Sequence, residues 1–178
     1  IWAETQGWYV PEVNRCQLNL LDSHDVPRAL HTLKGDGQAL ALAMLLLMLQ
    51  PGAPCLYYGT EVGLEGGPEP GCREAMPWEA PWPHDLRKLI VTLTKIRQQV
   101  EAVRDRGLLW QSTTPDGLMG RAPGVVVVVN RSRRKALPLE SHDVAQVGWD
   151  TDGALIGTYQ EARHTLGPQS AVLFKALG

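Results

Sequence analysis

Three side chains with chemical capacity stand side by side near the start of the chain, at Ser23, His24 and Asp25. They cannot work together as a nucleophilic triad, because neighbouring residues on a strand point to opposite faces. A helix cap or a turn is the structural alternative for such a tripeptide. The cluster follows a short apolar run, so we expect a buried strand whose carboxyl end delivers these polar groups.

A second group of candidates lies in a segment rich in Gly and Pro, residues 59–83. Long ordered loops of this kind are usually functional. Within it, Arg73 could form a structural ion pair or contact a ligand, and the rings of Trp78 and Trp82 could stack on a ligand or anchor the loop. The histidines outside the cluster show no metal-ligand spacing, so we expect neither a metal ion nor a cofactor; they are His31, His84, His142 and His164.

The elements that must position these residues can be outlined from periodicity. We predict strands over 16–21 and 53–58, a buried helix over 38–50 between them, and a helix over 86–104 that Asp85 caps. A strand, helix, strand order is typical of parallel α/β folds. In closed barrels of this class, catalytic groups sit at the carboxyl ends of strands, where both candidate groups would lie.

After Gly107 the pattern changes to short apolar runs separated by turns, including a hairpin signal at Thr114-Pro115-Asp116-Gly117. The predicted strands lie at 108–110, 118–121, 125–130, 136–139 and 170–175. The predicted fold class is therefore α/β followed by all-β, with domains at 1–104 and 105–178.

Composition limits the function classes. The net charge of −2 gives no electrostatic case for a nucleic-acid or anionic-membrane partner. The apolar stretch from Ala39 to Leu49 is shorter than the roughly 20 residues of a membrane span. Three scattered cysteines fit a reducing compartment, so we expect a cytoplasmic protein. Because the chain starts at Ile1 without Met, we also expect an excised piece of a longer protein.

Three motifs carry a resemblance that becomes specific when they are taken together. Asn19-Leu-Leu-Asp22-Ser23-His24-Asp25-Val-Pro-Arg28 resembles the seventh-strand motif of the α-amylase family of glycoside hydrolases. The segment from Pro51 to Gly63 resembles that family's eighth strand and following loop. The segment from Glu65 to Trp78 is similar to the version of this loop in neopullulanases, cyclomaltodextrinases and maltogenic amylases. Val26 and Thr60 depart from the family's usual Thr and Asp.

The resemblance implies the last two βα units of a (β/α)8 barrel, followed by an antiparallel β-sandwich. It implies that Asp25 is the third carboxylate of a retaining α-glucan hydrolase, the one that stabilises the transition state through hydroxyls of the reacting sugar. His24, Arg28, Arg73 and Trp78 are implied to bind substrate. No segment resembles the motifs that carry the family's nucleophile and acid, so we expect the chain alone to be inactive.

Two function classes stay open: a piece of an active enzyme, or a non-catalytic relative that serves as a binding or interaction module. The expected partners are an α-glucan oligosaccharide and the missing N-terminal part of the same enzyme. Without that part we expect the chain either to pair with copies of itself or to rearrange, because apolar groups that would meet the missing strands would otherwise be exposed. These are Leu18, Leu20, Leu56, Tyr58 and the helix from Ala39 to Leu49.

Overall fold

Two short parallel strands form the first sheet. A computed structural model describes residues 7–139, 149–150, 154–161 and 165–176 of the chain. In it β1 (Leu18–Leu20) pairs with β2 (Ala53–Cys55) in parallel. The connection between them contains helices α2 (Ala29–Thr32) and α3 (Gly37–Leu49), as a parallel crossover requires. Both strands were predicted, but they are shorter than expected.

The shortening of β1 has a local cause. A helix that the sequence did not predict, α1 (Pro11–Cys16), ends at the residue where the strand was expected to start. Pro11 occupies its first turn, where a missing N–H costs nothing. The chain then turns at Gln17 into an extended conformation and enters β1.

Helix α3 is apolar on nearly every side, and all of its residues after Gly37 are buried or half-buried. One set of its residues, including Leu45 and Leu49, packs with a helix later in the chain, α4 (His84–Gln99), and with apolar residues of the β-rich part after Gly107. The opposite set, Leu40, Met44 and Leu47, packs with residues that flank the parallel strands. This helix is therefore covered within the chain itself, which is the second of the two outcomes expected for its apolar residues. A helix without a polar face is stable only when neighbours surround it. The β-rich part of the chain supplies the neighbours on one side, and residues that flank the parallel strands supply those on the other.

The helical segment after the loop is broken in two. Helix α4 (His84–Gln99) is followed by α5 (Glu101–Arg106), with Val100 extended between them. The sequence predicted one continuous helix capped by Asp85. The structure instead places Pro83 at the N-cap and Asp85 inside the first turn, with no side-chain cap bond.

Nine strands follow α5 among the described residues, and they form two antiparallel sheets. The strands are β3 (Leu109–Ser112), β4 (Gly117–Ala122), β5 (Val125–Asn130), β6 (Leu137–Pro138), β7 (Trp149–Asp150), β8 (Ala154–Ile156), β9 (Tyr159–Gln160), β10 (Thr165–Leu166) and β11 (Ser170–Ala176). The six-stranded sheet has the order β3-β4-β5-β11-β7, with β8 also paired to β11, and the three-stranded sheet has the order β6-β10-β9. The predicted hairpin is confirmed as the turn from β3 to β4.

Strand β5 is buried on both faces, which explains its uninterrupted valines. Val125, Val127 and Val129 face the cluster that contains α3 and α4. Val126 and Val128 face the three-stranded sheet. The large sheet is therefore a middle layer, with helices on one side and the small sheet on the other.

Asp36 ties the start of α3 to the β-rich part. Its carboxylate accepts hydrogen bonds from the Ala39 N–H (3.0 Å) and from Nε2 of Gln169 (2.9 Å), and Nη2 of Arg133 lies 3.0 Å away. The hydrogen bond from Ala39, followed by that from Gln169, lowers the pKa of Asp36 below its ordinary value. These contacts join segments that lie far apart in sequence.

Gly107, which lies between α5 and β3, makes the second contact of this kind, with the segment that follows α3. Its φ is +65°, and a Cβ there would lie 2.1 Å from the backbone nitrogen of Pro51. The next N–H, of Leu108, donates to the carbonyl of Leu49 at the end of α3 (2.8 Å). Across the described ranges, every helix is too short or too polar to cross a membrane.

Candidate functional site

The turn after β1 is anchored by a buried carboxylate. Asp22 is 3% exposed and accepts hydrogen bonds from the Ala29 N–H (2.9 Å) and from the Thr60 hydroxyl (2.8 Å). Thr60 follows β2, so one carboxylate joins the chain segments that leave the carboxyl ends of both strands. This structural role was not predicted, because Asp22 lies seven positions before Ala29, the first residue of the helix that it caps.

His24 and Asp25 project from this turn into solvent. The side chains are 62% and 66% exposed, and His24 Nε2 lies 3.1 Å from Oδ1 of Asp25. The Asp25 N–H donates to the Ser23 hydroxyl (3.1 Å), and an isolated bridge joins Ser23 to Val26. Ser23 therefore shapes the turn, and the imidazole and the carboxylate remain available to a ligand.

The long loop after β2, residues 59–83, is hydrogen-bonded to the same turn. The His24 carbonyl accepts hydrogen bonds from the Cys72 thiol and from Nε of Arg73, both at 3.1 Å. Nη2 of Arg73 lies 2.8 Å from Glu69 and 3.9 Å from Asp25. The structure thus brings Arg73 to the predicted pair, and it adds Cys72 and Glu69, which sequence reasoning missed.

Arg28 lies below this surface. It is fully buried, and its guanidinium carbon is 4.2 Å from the centroid of the Tyr57 ring and 4.5 Å from that of Tyr58. Nη1 donates to the Tyr58 carbonyl. The Arg28 N–H donates to the Gly66 carbonyl (2.9 Å), which links this segment to the long loop. A fully buried guanidinium does not reach a sugar directly.

Trp78 lies further along the loop, is 72% exposed, and meets Trp82 with ring centroids 5.6 Å apart. Trp82 donates its indole N–H to the Pro77 carbonyl (2.9 Å) and is the anchored member of the pair. The exposed ring of Trp78 offers an apolar face of the kind on which sugars stack.

The arrangement can bind and orient a polyhydroxylated ligand. An exposed carboxylate accepts hydrogen bonds from hydroxyl groups, while an imidazole and a guanidinium beside it donate to hydroxyl oxygens. Within the residues that the structure describes, no group of three His, Cys, Asp or Glu side chains could hold a metal ion; His142 and His164 lie outside those residues. A cavity of about 790 Å³ lies elsewhere, between α3, α4 and β8, and no predicted site residue lines it.

Comparison with known proteins gives a consistent set of matches. Residues 4–117 match the family model described as alpha amylase, catalytic domain. A cyclomaltodextrinase from a Bacillus species is 42% identical over 97 residues, which is 54% of this chain and 17% of that protein. An intracellular maltogenic amylase from Bacillus subtilis is 35% identical over 99 residues, again 17% of that protein. Another relative is named neopullulanase 2.

A solved structure extends the likeness over the described fold. Cyclic α-maltosyl-(1→6)-maltose hydrolase from Arthrobacter globiformis, in complex with maltose, is similar with a TM-score of 0.76 and 28% identity. The match covers 98% of this chain and 38% of that chain. In the matches to the cyclomaltodextrinase, the maltogenic amylase and the Arthrobacter enzyme, the aligned part covers between 17% and 38% of the other protein, so this chain spans less than half of their length.

Proposed function

Because the chain belongs to the α-amylase family of glycoside hydrolases, we propose that it is the C-terminal part of a retaining α-glucan hydrolase of the cyclomaltodextrinase, neopullulanase and maltogenic amylase type. The family resemblance predicted from the motifs of residues 19–78 is confirmed. The observation that carries the proposal is the exposed carboxylate of Asp25 at the end of a parallel strand, with His24 in contact with it and Arg73 nearby.

The proposal assigns residues 1–104 to the last two βα units of a (β/α)8 barrel and residues 105–178 to a β-sandwich domain. The parallel pairing of β1 with β2 across a helical connection supports the first assignment. The two antiparallel sheets after Gly107 support the second. In a closed barrel, the carboxyl ends of β1 and β2 would face the rest of the active site.

In the proposed mechanism, Asp25 binds hydroxyls of the reacting sugar and stabilises the positively charged transition state. His24 donates a hydrogen bond to the same hydroxyls. Arg73 holds the turn through the His24 carbonyl and offers its remaining N–H groups to the substrate. Trp78 supplies a stacking surface. Direct sugar binding by Arg28 was also predicted, but its complete burial argues for a positioning role.

The nucleophile and the acid–base carboxyl would come from the part of the full-length protein outside this chain. Glycoside hydrolysis requires two carboxyl groups on opposite sides of the scissile bond, and Asp25 fills neither role. A binding-only relative is the alternative, since Asp25, His24 and Arg73 could hold a sugar without cleaving it.

The test compares the 178-residue chain with the full-length protein on cyclodextrin, pullulan and starch. We expect the full-length protein to release reducing sugar and the chain alone to release none. The upstream sequence should carry an Asp and a Glu at strand ends. A full-length protein that binds maltose without hydrolysing any of these glucans would establish the binding-only alternative.

A further inference from the structure

Arg28 carries two hydrogen-bond donors that nothing in the described chain satisfies. Its side chain is fully buried, and Nε and Nη2 have no acceptor among the described residues. The third nitrogen, Nη1, donates to the Tyr58 carbonyl. Burying a charged group is costly unless it is paired and hydrogen-bonded, so this guanidinium lacks a partner that its position requires.

The two free donors are the pair that a carboxylate engages. In a planar guanidinium, the N–H bonds of Nε and of the neighbouring Nη2 run parallel along one side, and a carboxylate can accept from both at once. The rings of Tyr57 and Tyr58 lie 4.2 and 4.5 Å from the guanidinium carbon and 4.6 Å from each other, so both pack on the same side of the group and leave the Nε and Nη2 donors without a contact from either ring. Tyr58 is itself 40% exposed, which places Arg28 just beneath the surface near β2.

We propose that Arg28 is the docking point for a carboxylate of the same polypeptide, carried by the part of the full-length protein that lies outside this chain. The inference rests on the proposed function, because it requires that the chain is part of a larger enzyme. Both nitrogens are enclosed in the chain by itself, so the exposed ring of Tyr58 would have to shift before the carboxylate could pair with Nε and Nη2 in a bidentate contact. It would fix Tyr57 and Tyr58, and through the Gly66 carbonyl the start of the long loop that carries Arg73.

The test compares Arg28→Met in two settings, the 178-residue chain and the full-length protein. In the chain alone the substitution removes an unpaired buried charge, so we expect the Tm to stay the same or to rise by roughly 2–4 °C. In the full-length protein it would strand the partner carboxylate, and we expect the Tm to fall by about 5 °C or more.

Arg97 provides a matched control. Its Nη1 donates to the carbonyls of Met48 (2.8 Å) and Gln50 (3.0 Å), and its Nη2 donates to that of Gly52. Because its acceptors all lie in this chain, Arg97→Met should lower the Tm in both settings. If Arg28→Met lowers the Tm in both settings, as the control does, or lowers it in neither, the proposal is wrong. A variant that fails to fold counts as lowered.

A second measurement identifies the partner. Each upstream Asp and Glu of the full-length protein would be changed to Asn or Gln, alone and together with Arg28→Met. One carboxylate should lower the Tm by itself and add nothing in the Arg28→Met background. If every carboxylate is additive, the pairing does not exist. These readouts need no catalysis, so an inactive full-length protein would contradict the proposed function and still leave the role of Arg28 decided.

Discussion

Two aspartates three residues apart serve opposite purposes in the turn after β1. Asp22 is buried and its oxygens are filled by the Ala29 N–H and the Thr60 hydroxyl. The side chain of Asp25 is two-thirds exposed and faces His24. A carboxylate whose oxygens accept hydrogen bonds from its own chain stabilises the fold, and an exposed carboxylate can bind a ligand. The structural role of Asp22 and the binding role proposed for Asp25 differ because their burial differs, since the two side chains are chemically identical.

Asp25→Asn in the full-length protein should reduce kcat far more than it raises KM. Its contacts with the sugar are expected to tighten at the transition state, so the loss should be about 3 kcal/mol or more. His24→Ala should cost less, because it removes a hydrogen bond and no charge. Steady-state kinetics on cyclodextrin would measure both effects.

Glu69→Gln is the matched control for Asp25→Asn, because Glu69 is a second exposed carboxylate on the same arginine, Arg73. Its loss should change kcat by less than about tenfold, or 1.4 kcal/mol. Equal small effects at Asp25 and Glu69 would contradict the role assigned to Asp25.

The site was partly predictable from sequence. His24 and Asp25 are neighbours and could be found by inspection, and Arg73 could be found through the loop motif. The contacts of Cys72 and Arg73 with the His24 carbonyl could not, since they depend on backbone geometry across nearly fifty residues. The burial of Arg28 was also missed, because an arginine after a polar turn gives no sign of the two tyrosine rings that pack against it.

At the scale of elements, Asp36 should make stability depend on pH. Its folded pKa lies below the unfolded value of about 3.9. Its contribution is therefore fully present above that value and is lost as the pH falls through the lower, folded pKa. Asp36→Asn keeps a capping oxygen but removes the charge, and it should cost about 0.5–1 kcal/mol at pH 6.

Urea unfolding of the wild type and of Asp36→Asn across pH 6 to 2.5 would test this. The two curves should converge at the acid end. Asp36→Ala, which also removes the cap, should cost about 1–2 kcal/mol and retain a deficit at every pH. A constant difference between the wild type and Asp36→Asn would show that the charge is not involved.

Gly107→Ala should destabilise the chain by several kcal/mol, because the added Cβ would collide with backbone atoms of Gln50 and Pro51. Gly124 is the control, since it also has a positive φ (+75°) but has open space around the position of a Cβ. Gly124→Ala should cost only the conformational strain, about 1–2 kcal/mol. Similar losses in the two variants, measured by thermal unfolding, would mean that the close contact at Gly107 is unimportant.

Elements with a strong local signal were predicted well. The valine run of β5, the hairpin before β4 and the apolar helix α3 all appear where periodicity and turn residues place them. Helix α1 was missed because six residues are too few for a periodic pattern. The break at Val100 was missed because nothing in the local sequence marks it.

At the scale of the whole molecule, we expect the chain by itself to associate in solution. Leu18 and Leu20 are 64% and 47% exposed, and β1 is paired on one edge only among the described residues. An apolar strand with a free edge is a template for pairing. Light scattering of the 178-residue chain should show a mass that rises with concentration.

Leu18→Lys combined with Leu20→Lys should shift the chain towards a monomer. Val91→Lys is the control, since Val91 is 53% exposed on helix α4 and lies away from β1. If Val91→Lys dissociates the chain as effectively, association does not occur through the strand edge. A wild-type chain that is monomeric at every concentration would contradict the prediction outright.

The two faces of β5 have a consequence for how this family can recombine. Because Val125, Val127 and Val129 share one core with α3 and α4, the β-rich part is not a module that can be exchanged by cutting the gene at Gly107. In a hybrid that joined this helical part to the sheet of a distant relative, the helices and the sheet would not fit each other at their shared core, however well the linker between them was designed. Substitutions on the two sides of that layer should therefore accumulate together, and gene fusions that respect it must carry the helices and the sheet as one unit of inheritance.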